Sequence, residues 1–239
     1  MLDIRGQEMA MIFQDALTAL NPVMTIGRQL DEVFIRHRSM KRREARQASI
    51  QALKLVGVPS PERRYGDFPH ELSGGMRQRV LIAMAFACDP KLIIADEPTT
   101  ALDVTIQAQV LDVLKTMQRE RNISLILITH DLSVVAHMAD TVYVMYCGRI
   151  VEKAPLRELF RHPLHPYTEG LMASVPKLNE DTRRFVRIPD AVPNPMRKPA
   201  GCTFHPRCRS CAQKCREAMP PLRAAGEDRL VRCWHPVGE

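Results

Sequence analysis

Two carboxylates stand side by side after an apolar run, where Leu92-Ile93-Ile94-Ala95 is followed by Asp96-Glu97-Pro98. If the run is a strand, the pair lies at the carboxyl edge of a sheet. There a first carboxylate can hold Mg2+ through its water shell, and a second can orient or deprotonate an attacking water. An exposed acidic turn is the alternative. Leu72-Ser73-Gly74-Gly75 suggests a different chemistry. Ser73 can cap a helix, and the glycines let backbone N–H groups approach an anion at the positive end of the helix dipole. Taken alone, the segment equally describes a plain capped helix after a flexible turn. Gln14 follows Met11-Ile12-Phe13, and His130 follows Ile126-Leu127-Ile128. Each is weak singly, because a lone strand-end His is more often structural than catalytic. Near the other terminus Cys202, Cys208, Cys211 and Cys215 are spaced C-x5-C-x2-C-x3-C, with Cys233-Trp234 further on. Thiols gathered this closely, if kept reduced, suit Zn2+ or an iron–sulfur cluster. Unliganded thiols in a Pro-rich extension are the alternative.

These residues need elements to position them. Residues 24–38 and 42–57 read as two helices, the second with Ala45, Ala48, Ala52, Leu55 and Val56 on one side and Gly57-Val58-Pro59 as its stop. Arg36, Arg38, Lys41, Arg42, Arg43 and Arg46 face one nearby acid, Glu44. No aromatics interleave, so this reads as a solvated helix corner rather than a nucleic-acid patch. After Gly75 comes an almost wholly apolar helix, Val80 to Ala87, of the kind buried all round. Residues 104–121 form an amphipathic helix with Val110, Leu114 and Met117 on one face. The runs at Leu92 and at Ser124 to Thr129 are apolar throughout and polar at their carboxyl ends, which predicts a buried parallel sheet with its ligand site beyond those ends. Two strands follow, Thr141 to Tyr146 and Arg149 to Lys153, joined by Cys147-Gly148. No internal repeat is visible.

Composition narrows the class. The 239 residues are 45% apolar and 26% charged, and no window approaches the ~18 apolar residues of a membrane span. Asp3, Arg5 and Glu8 interrupt residues 1–11, so these are not expected to be a signal peptide. The net charge of +7 is uneven: residues 1–176 hold 21 Lys/Arg against 20 Asp/Glu, and residues 177–239 hold 13 against 7. Eleven of the 18 prolines lie between Pro155 and Pro221, and five of the seven cysteines in the last 38 residues. All three shifts place a boundary near residue 176, between a body and a Pro/Cys-rich extension.

In this order the motifs become specific. Gln14, Leu72 to Gln78, Leu92 to Glu97, Ala101-Leu102-Asp103 and His130 resemble the Q-loop, signature, Walker B run, D-loop and H-loop of the ATP-binding subunits of ABC transporters. The resemblance covers residues 1 to about 155. Phe13-Gln14-Asp15, Leu20-Asn21-Pro22 and the tail resemble the subgroup serving oligopeptide, dipeptide and nickel importers. The implied fold is α/β, a P-loop NTPase-like ABC ATPase truncated at its N-terminus. Its helical subdomain would span about 22–90 and its sheet core about 91–155, with the Cys-rich extension at 177–239. By the resemblance Gln14 would touch Mg2+ or the water, Asp96 would hold Mg2+, Glu97 would be the general base and His130 would contact the γ-phosphate of ATP. Ser73, Gly74, Gly75 and Gln78 would serve ATP held by the opposite subunit, and Asp103 would cross the dimer interface. The implied partners are a second ABC ATPase subunit, membrane permease subunits and, indirectly, a solute-binding protein, on the cytoplasmic face of the membrane. Such a body keeps thiols reduced, so extracellular disulfides are not expected. Gly201-Cys202-x-Phe204-x-Pro206-Arg207-Cys208 resembles the peptide-importer extension, some members of which carry a 4Fe–4S cluster. The implied ligands are Cys202, Cys208, Cys215 and Cys233, with Cys211 able to substitute. Cys88 and Cys147 read as structural.

One departure stands out. None of the 11 glycines precedes Lys-Ser or Lys-Thr, so the Walker A phosphate cradle is not found in these residues. The resemblance would place its strand inside the sheet beside the Leu92 run. Three expectations follow, in order: the back part of a normal subunit that begins upstream, a decayed remnant, or a half that lends Ser73-Gly74-Gly75 to a partner's ATP. Chromosome and DNA-repair ATPases share the signature and Walker B patterns, and a pI near 9.2 suits nucleic acid. Those proteins usually separate Q-loop from signature by a long insertion, whereas Gln14 and Ser73 are 59 positions apart. No nucleic-acid partner is therefore expected. A metal-binding adaptor built around the tail is a third class.

Overall fold

The three apolar runs become three parallel strands. In the computed structural model, which describes residues 4–100, 102–174, 188–189, 191–194 and 196–238, the chain divides into two units, Met1–Val134 and Val135–Glu239. Chain order in the first unit is β1 (Met9–Ile12), α1 (Ala16–Ala19), α2 (Ile26–Arg38), α3 (Arg42–Leu55), α4 (Pro61–Arg64), α5 (Gly74–Phe86), β2 (Leu92–Asp96), α6 (Val104–Glu120) and β3 (Ser124–Ile128). The division falls within α7 (Leu132–Met138). The expected boundary near residue 176 lies outside the described residues, as does Ala101.

The sheet order is β1-β2-β3, all parallel, with Met11 opposite Ile94 and Ile94 opposite Ile126. Among the described residues β2 pairs with β1 along one side and with β3 along the other. A correction concerns burial. One face of the sheet, with Ile12, Ile93 and Ala95, is buried, but the other is open: Met9 and Met11 are exposed, Ile126 is 49% exposed and Ile128 is 48% exposed. Apolar residues on both faces of a strand normally mean that both are covered.

The helices follow local rules with one exception. Thr25 caps α2 by accepting from Arg28 N–H, and Glu44 accepts from Lys41 N–H at the start of α3. Gly57 takes the left-handed conformation expected of the stop after α3. The buried face of α3 is Ala45, Ser49 and Leu53, while Leu55 is 58% exposed, contrary to the predicted stripe. Ser49 is buried because its hydroxyl donates to Asp31 at 2.6 Å, which satisfies it in the core. In α5, Val80, Ile82 and Phe86 are among the residues buried, and α6 buries Val110, Leu114 and Met117 as its pattern predicts. Asp89 receives both Arg38 and Arg121, so Arg38 of the basic corner is an ion-pair partner. Arg46 lies over the Tyr65 ring at 5.3 Å.

The second unit is built on an antiparallel sheet. Its elements are β4 (Thr141–Tyr146), β5 (Arg149–Pro155), α8 (Leu156–Arg161), α9 (Pro166–Ala173), α10 (Gln213–Glu217), β6 (Arg223–Ala224) and β7 (Leu230–Val231), with strand order β4-β5-β7-β6. Cys147 and Gly148 both have positive φ, which makes the tight turn between β4 and β5. The extension thus joins the body's hairpin, a pairing that spacing alone does not reveal. Its core gathers Val144, Tyr146, Val151, Ala154, Leu159 and Phe204. Within this unit Glu152 is 0% exposed. Its carboxylate accepts from Leu164 N–H and His165 N–H, both at 2.9 Å, and pairs with Arg229 at 3.3 Å.

Removing that carboxylate strands two buried N–H groups and a half-neutralised guanidinium. Glu152→Leu is expected to destabilise this unit by about 3–5 kcal/mol. Urea unfolding followed by the fluorescence of Trp234, the single tryptophan, measures it. An unchanged midpoint would show the pair to be dispensable.

Candidate functional site

Parallel pairing delivers three strand ends to one edge, and their polar residues meet at Glu97. Glu97 follows β2 with φ 43, an uncommon conformation for a residue with a side chain, and its N–H donates to Ile128 C=O at 2.8 Å. Its Oε2 accepts from Gln14 Nε2 at 2.8 Å and from the Thr100 hydroxyl at 2.7 Å, while Oε1 lies 2.9 Å from His130 Nδ1. Gln14, Glu97 and His130 were expected here; Thr100 was not. An Asp-Glu-Pro-Thr-Thr run offers a hydroxyl three residues past the carboxylate, which is the signal that could have found it.

These donors hold the Glu97 carboxyl below its ordinary range, with Thr100 the largest cause, then His130, against a smaller opposing effect of burial. A carboxylate has about four lone-pair positions, and three are taken, so one on Oε1 beside His130 is left for a water O–H. Asp96 ends β2 immediately before Glu97, and no described residue donates to its carboxylate. An oxygen ligand in that position suits Mg2+, which keeps several of its waters.

The other predicted residues sit on helix starts. Ser73 is exposed and caps α5, its Oγ accepting from Met76 N–H at 3.3 Å. Gly74 and Gly75 form the first turn. At Gly75 a Cβ would lie 2.4 Å from Ile106 of α6, so close helix packing also demands that glycine. Gln78 is only 3% exposed, and its Nε2 has no hydrogen-bond partner. Asp103 caps α6 by accepting from Ile106 N–H at 3.0 Å. None of Ser73, Gly74, Gly75 or Asp103 bonds to the Glu97 group. Sequence reasoning missed Arg77, which donates to Leu72 C=O at 2.7 Å, and Arg79, which donates to Val56 C=O at 2.7 Å and to Gln109 at 3.1 Å. Both brace the signature helix, and long cations with no nearby acid in sequence were the available sign.

In the second unit the extension brings four thiols to one cavity. Cys202, Cys208, Cys215 and Cys233 line a small cavity of about 10 Å³ together with His165, Phe204, His205 and Trp234; Cys211 does not line it. All the cysteines are free. Cys202 N–H donates to Cys215 C=O at 2.8 Å, and a Cβ at Gly201 would lie 2.4 Å from that same oxygen, so only glycine fits there. Burial, reinforced by the neighbouring thiols, raises Cys202 and Cys233 and pushes Cys208 up to about 11. Among the described residues no group of three or more His, Cys, Asp or Glu converges closely enough for a single metal ion. Neither the zinc nor the iron–sulfur expectation gains support from such a geometry. Cys88 is buried beside Arg38, and Cys147 forms the hairpin turn.

Comparison with known proteins agrees with both halves of this description. A family model for ABC transporters matches residues 1–100, and one for the C-terminal region of oligopeptide/dipeptide transporters matches residues 151–215. The oligopeptide transport ATP-binding protein AppD of Bacillus subtilis is 52% identical over 231 residues, covering 97% of this chain and 70% of that protein. The chain belongs to the oligopeptide/dipeptide importer family of ABC transporter ATPases. A putative peptide import ATP-binding protein of Brucella ovis is 50% identical over 242 residues, with this ABC ATPase spanning 72% of it. The fold is that of the ABC cassette. A dimeric post-hydrolysis state of the cassette MJ0796, bound to ADP and Pi, is 28% identical with a TM-score of 0.58, over 65% of this chain and 66% of that one. CbiO1 from Clostridium perfringens, part of the ABC transporter complex cbiONQ, is 30% identical with a TM-score of 0.56, over 64% of this chain and 59% of that one.

The Glu97 group of this ABC ATPase generates a titration test. A folded pKa below the unfolded one means that the stability these bonds contribute is present above the ordinary Glu value and is lost as pH falls through the depressed value. Thr100→Val removes the largest cause and is expected to raise the Glu97 midpoint toward the ordinary range. Carboxyl-carbon NMR of labelled Glu measures this, and an unmoved midpoint would remove Thr100 from the site.

Proposed function

We propose that this ABC ATPase uses Glu97 as general base on a water beside the γ-phosphate of ATP, and so powers import of oligopeptides or related solutes. The observation that carries this is the Glu97 carboxylate held by Gln14, Thr100 and His130 at the carboxyl edge of a parallel sheet. Gln14 and His130 keep it ionised and oriented; the open position on Oε1 takes the water proton. Asp96 would hold Mg2+, which when bound would supply neutralisation of developing phosphate charge. His130 reaches the γ-phosphate, and its exposure leaves it free to do so. Ser73, Gly74 and Gly75 present the start of α5, with Gln78 supporting it from beneath, to ATP bound on a second ABC ATPase subunit, and Asp103 lies at that interface. The dimer of the related MJ0796 cassette supports the pairing. Membrane permease subunits, and through them a solute-binding protein, are the further partners. The subunit works peripherally at the cytoplasmic face; no described helix is long and apolar enough to cross a membrane.

We further propose that residues 1–176 are the cassette part, with the helical subdomain about 22–90 and sheet core about 91–155, and that 177–239 are a separate extension. A phosphate cradle is not found in the 239 residues, and the exposed Met9, Met11, Ile126 and Ile128 support the reading that further polypeptide packs on this sheet, because an apolar face of this kind needs cover. The 239 residues alone are therefore expected to show no ATP hydrolysis. Joined behind an upstream segment that carries Gly-x-x-x-x-Gly-Lys-Ser/Thr, they are expected to hydrolyse it, with Glu97→Gln lowering the rate by about 10²–10⁴-fold. Hydrolysis by the 239 residues alone that is lost in Glu97→Gln would overturn the requirement for the cradle. Undiminished hydrolysis in the restored Glu97→Gln protein would overturn the base assignment.

We propose also that Cys202, Cys208, Cys215 and Cys233 hold a 4Fe–4S cluster. What supports this reading is that the four thiols line one cavity and could each supply a thiolate ligand. The raised thiol pKa values mean that the metal itself must displace the protons. When bound, the cluster would supply one-electron redox capacity or a structural staple. Anaerobically purified protein is expected to be brown, with iron and acid-labile sulfide, and Cys208→Ser to bleach it. Colourless protein with one tight zinc would turn the assignment to zinc. Colourless protein without metal would leave four unliganded thiols.

A further inference from the structure

His165 is the one imidazole on the wall of the thiol cavity whose free N–H has no acceptor among the described residues. The residue is 1% exposed and lines the same space as Cys202, Cys208, Cys215 and Cys233. Its Nδ1 caps α9 by accepting from Tyr167 N–H at 3.0 Å. A ring nitrogen that accepts carries no proton, so in the neutral ring the proton is on Nε2. Burial holds the ring neutral, its pKa lowered to about 4. No described residue accepts from Nε2–H. The ring is oriented by that Nδ1 bond and lies tilted at 55° to the Phe204 ring, centroids 5.7 Å apart, while its backbone N–H is held by Glu152 at 2.9 Å.

The other polar groups on the wall are already committed or wet. His205 Nδ1 lies 2.9 Å from Cys202 C=O, an oxygen that only accepts, so its Nδ1–H is committed there. The Trp234 indole N–H donates to Ala218 C=O at 3.0 Å. Ser210 is exposed, so water competes for its hydroxyl.

We propose that His165 Nε2–H donates a hydrogen bond to a sulfur of the group held by Cys202, Cys208, Cys215 and Cys233, and thereby makes that group easier to reduce. This rests on the iron–sulfur reading given above. A donor withdraws electron density from the sulfur and favours the more negative, reduced cluster. In a buried site the bond escapes competition from water. His165 is thus a positioning and tuning residue, not a ligand.

The test uses the full chain, reconstituted anaerobically with iron and sulfide, and reads the midpoint of a redox titration followed by EPR. His165→Phe keeps a ring without a donor. His165→Asn keeps a good helix cap but is too short to reach the sulfur. Both are expected to load the same iron as wild type and to titrate at a more negative midpoint. Variants that load iron fully and titrate at the wild-type midpoint would overturn the inference while leaving the cluster in place. Wild-type protein that takes up no iron and sulfide would overturn the cluster reading and this inference with it. Should the variants fail to load, pulsed EPR of the reduced wild-type protein labelled with 15N-histidine decides. A weak nitrogen coupling that persists in His205→Gln is expected, and its absence overturns the inference.

Discussion

Parallel register in a three-stranded sheet is the constraint from which the arrangement around Glu97 follows. Because Ile12 pairs with Ala95 and Ala95 with Leu127, all three strands end at the same level. The residues just past those ends, Gln14, Glu97 and His130, then have nowhere to go but the same edge. Separations of 83 and 33 positions in sequence collapse to hydrogen-bond distance without any long side chain having to reach. The left-handed turn at Glu97, pinned by its N–H to Ile128, aims the carboxylate at its neighbours. Strain of that kind costs about 1–3 kcal/mol and persists only where surrounding bonds over-determine it.

The same economy governs the signature helix. Gly75 answers two demands at once: it leaves the N-terminal N–H groups open to an anion, and it lets α5 approach Ile106 of α6. Ser73 at the exposed start and Gln78 in the core are five residues apart, so one helix carries both a solvent-facing cap and a buried amide with no partner. Such an amide is a tension that the packing around α5 must hold, since an unpaired buried donor costs about 1–3 kcal/mol.

Buried polarity organises the second unit. Glu152 has no solvent, and its two backbone donors and Arg229 replace it, tying β5 to the segment that leads into α9 and to the hairpin of the extension. That tie fixes His165 by its backbone while Phe204 fixes it by its ring. The same ring lines the thiol cavity. Low dielectric makes the thiols reluctant to ionise, and it strengthens any bond that His165 makes to a sulfur.

Much of this was legible in the sequence, because it depends on local patterns. Apolar runs ending in polar residues gave the strands and their functional ends, Ser73 declared itself as a cap, and Gly57 and Cys147-Gly148 marked the stop and the turn. Those signals are short-range, set by backbone conformation and capping. The partners of Glu97 were another matter, since Thr100 gains its role only once the turn after β2 folds it back onto the carboxylate. Leu55 yielded its place in the core to Ser49 because Asp31, on a different helix, satisfies the hydroxyl, and no periodicity within α3 encodes that. The order of the sheet, the open face carrying Ile126 and Ile128, the union of the extension with the β4-β5 hairpin and the meeting of His165 with four distant thiols were all decided by tertiary structure. Each depends on which surfaces pack against which, and a linear pattern specifies that a surface is apolar or a donor is available without naming its partner.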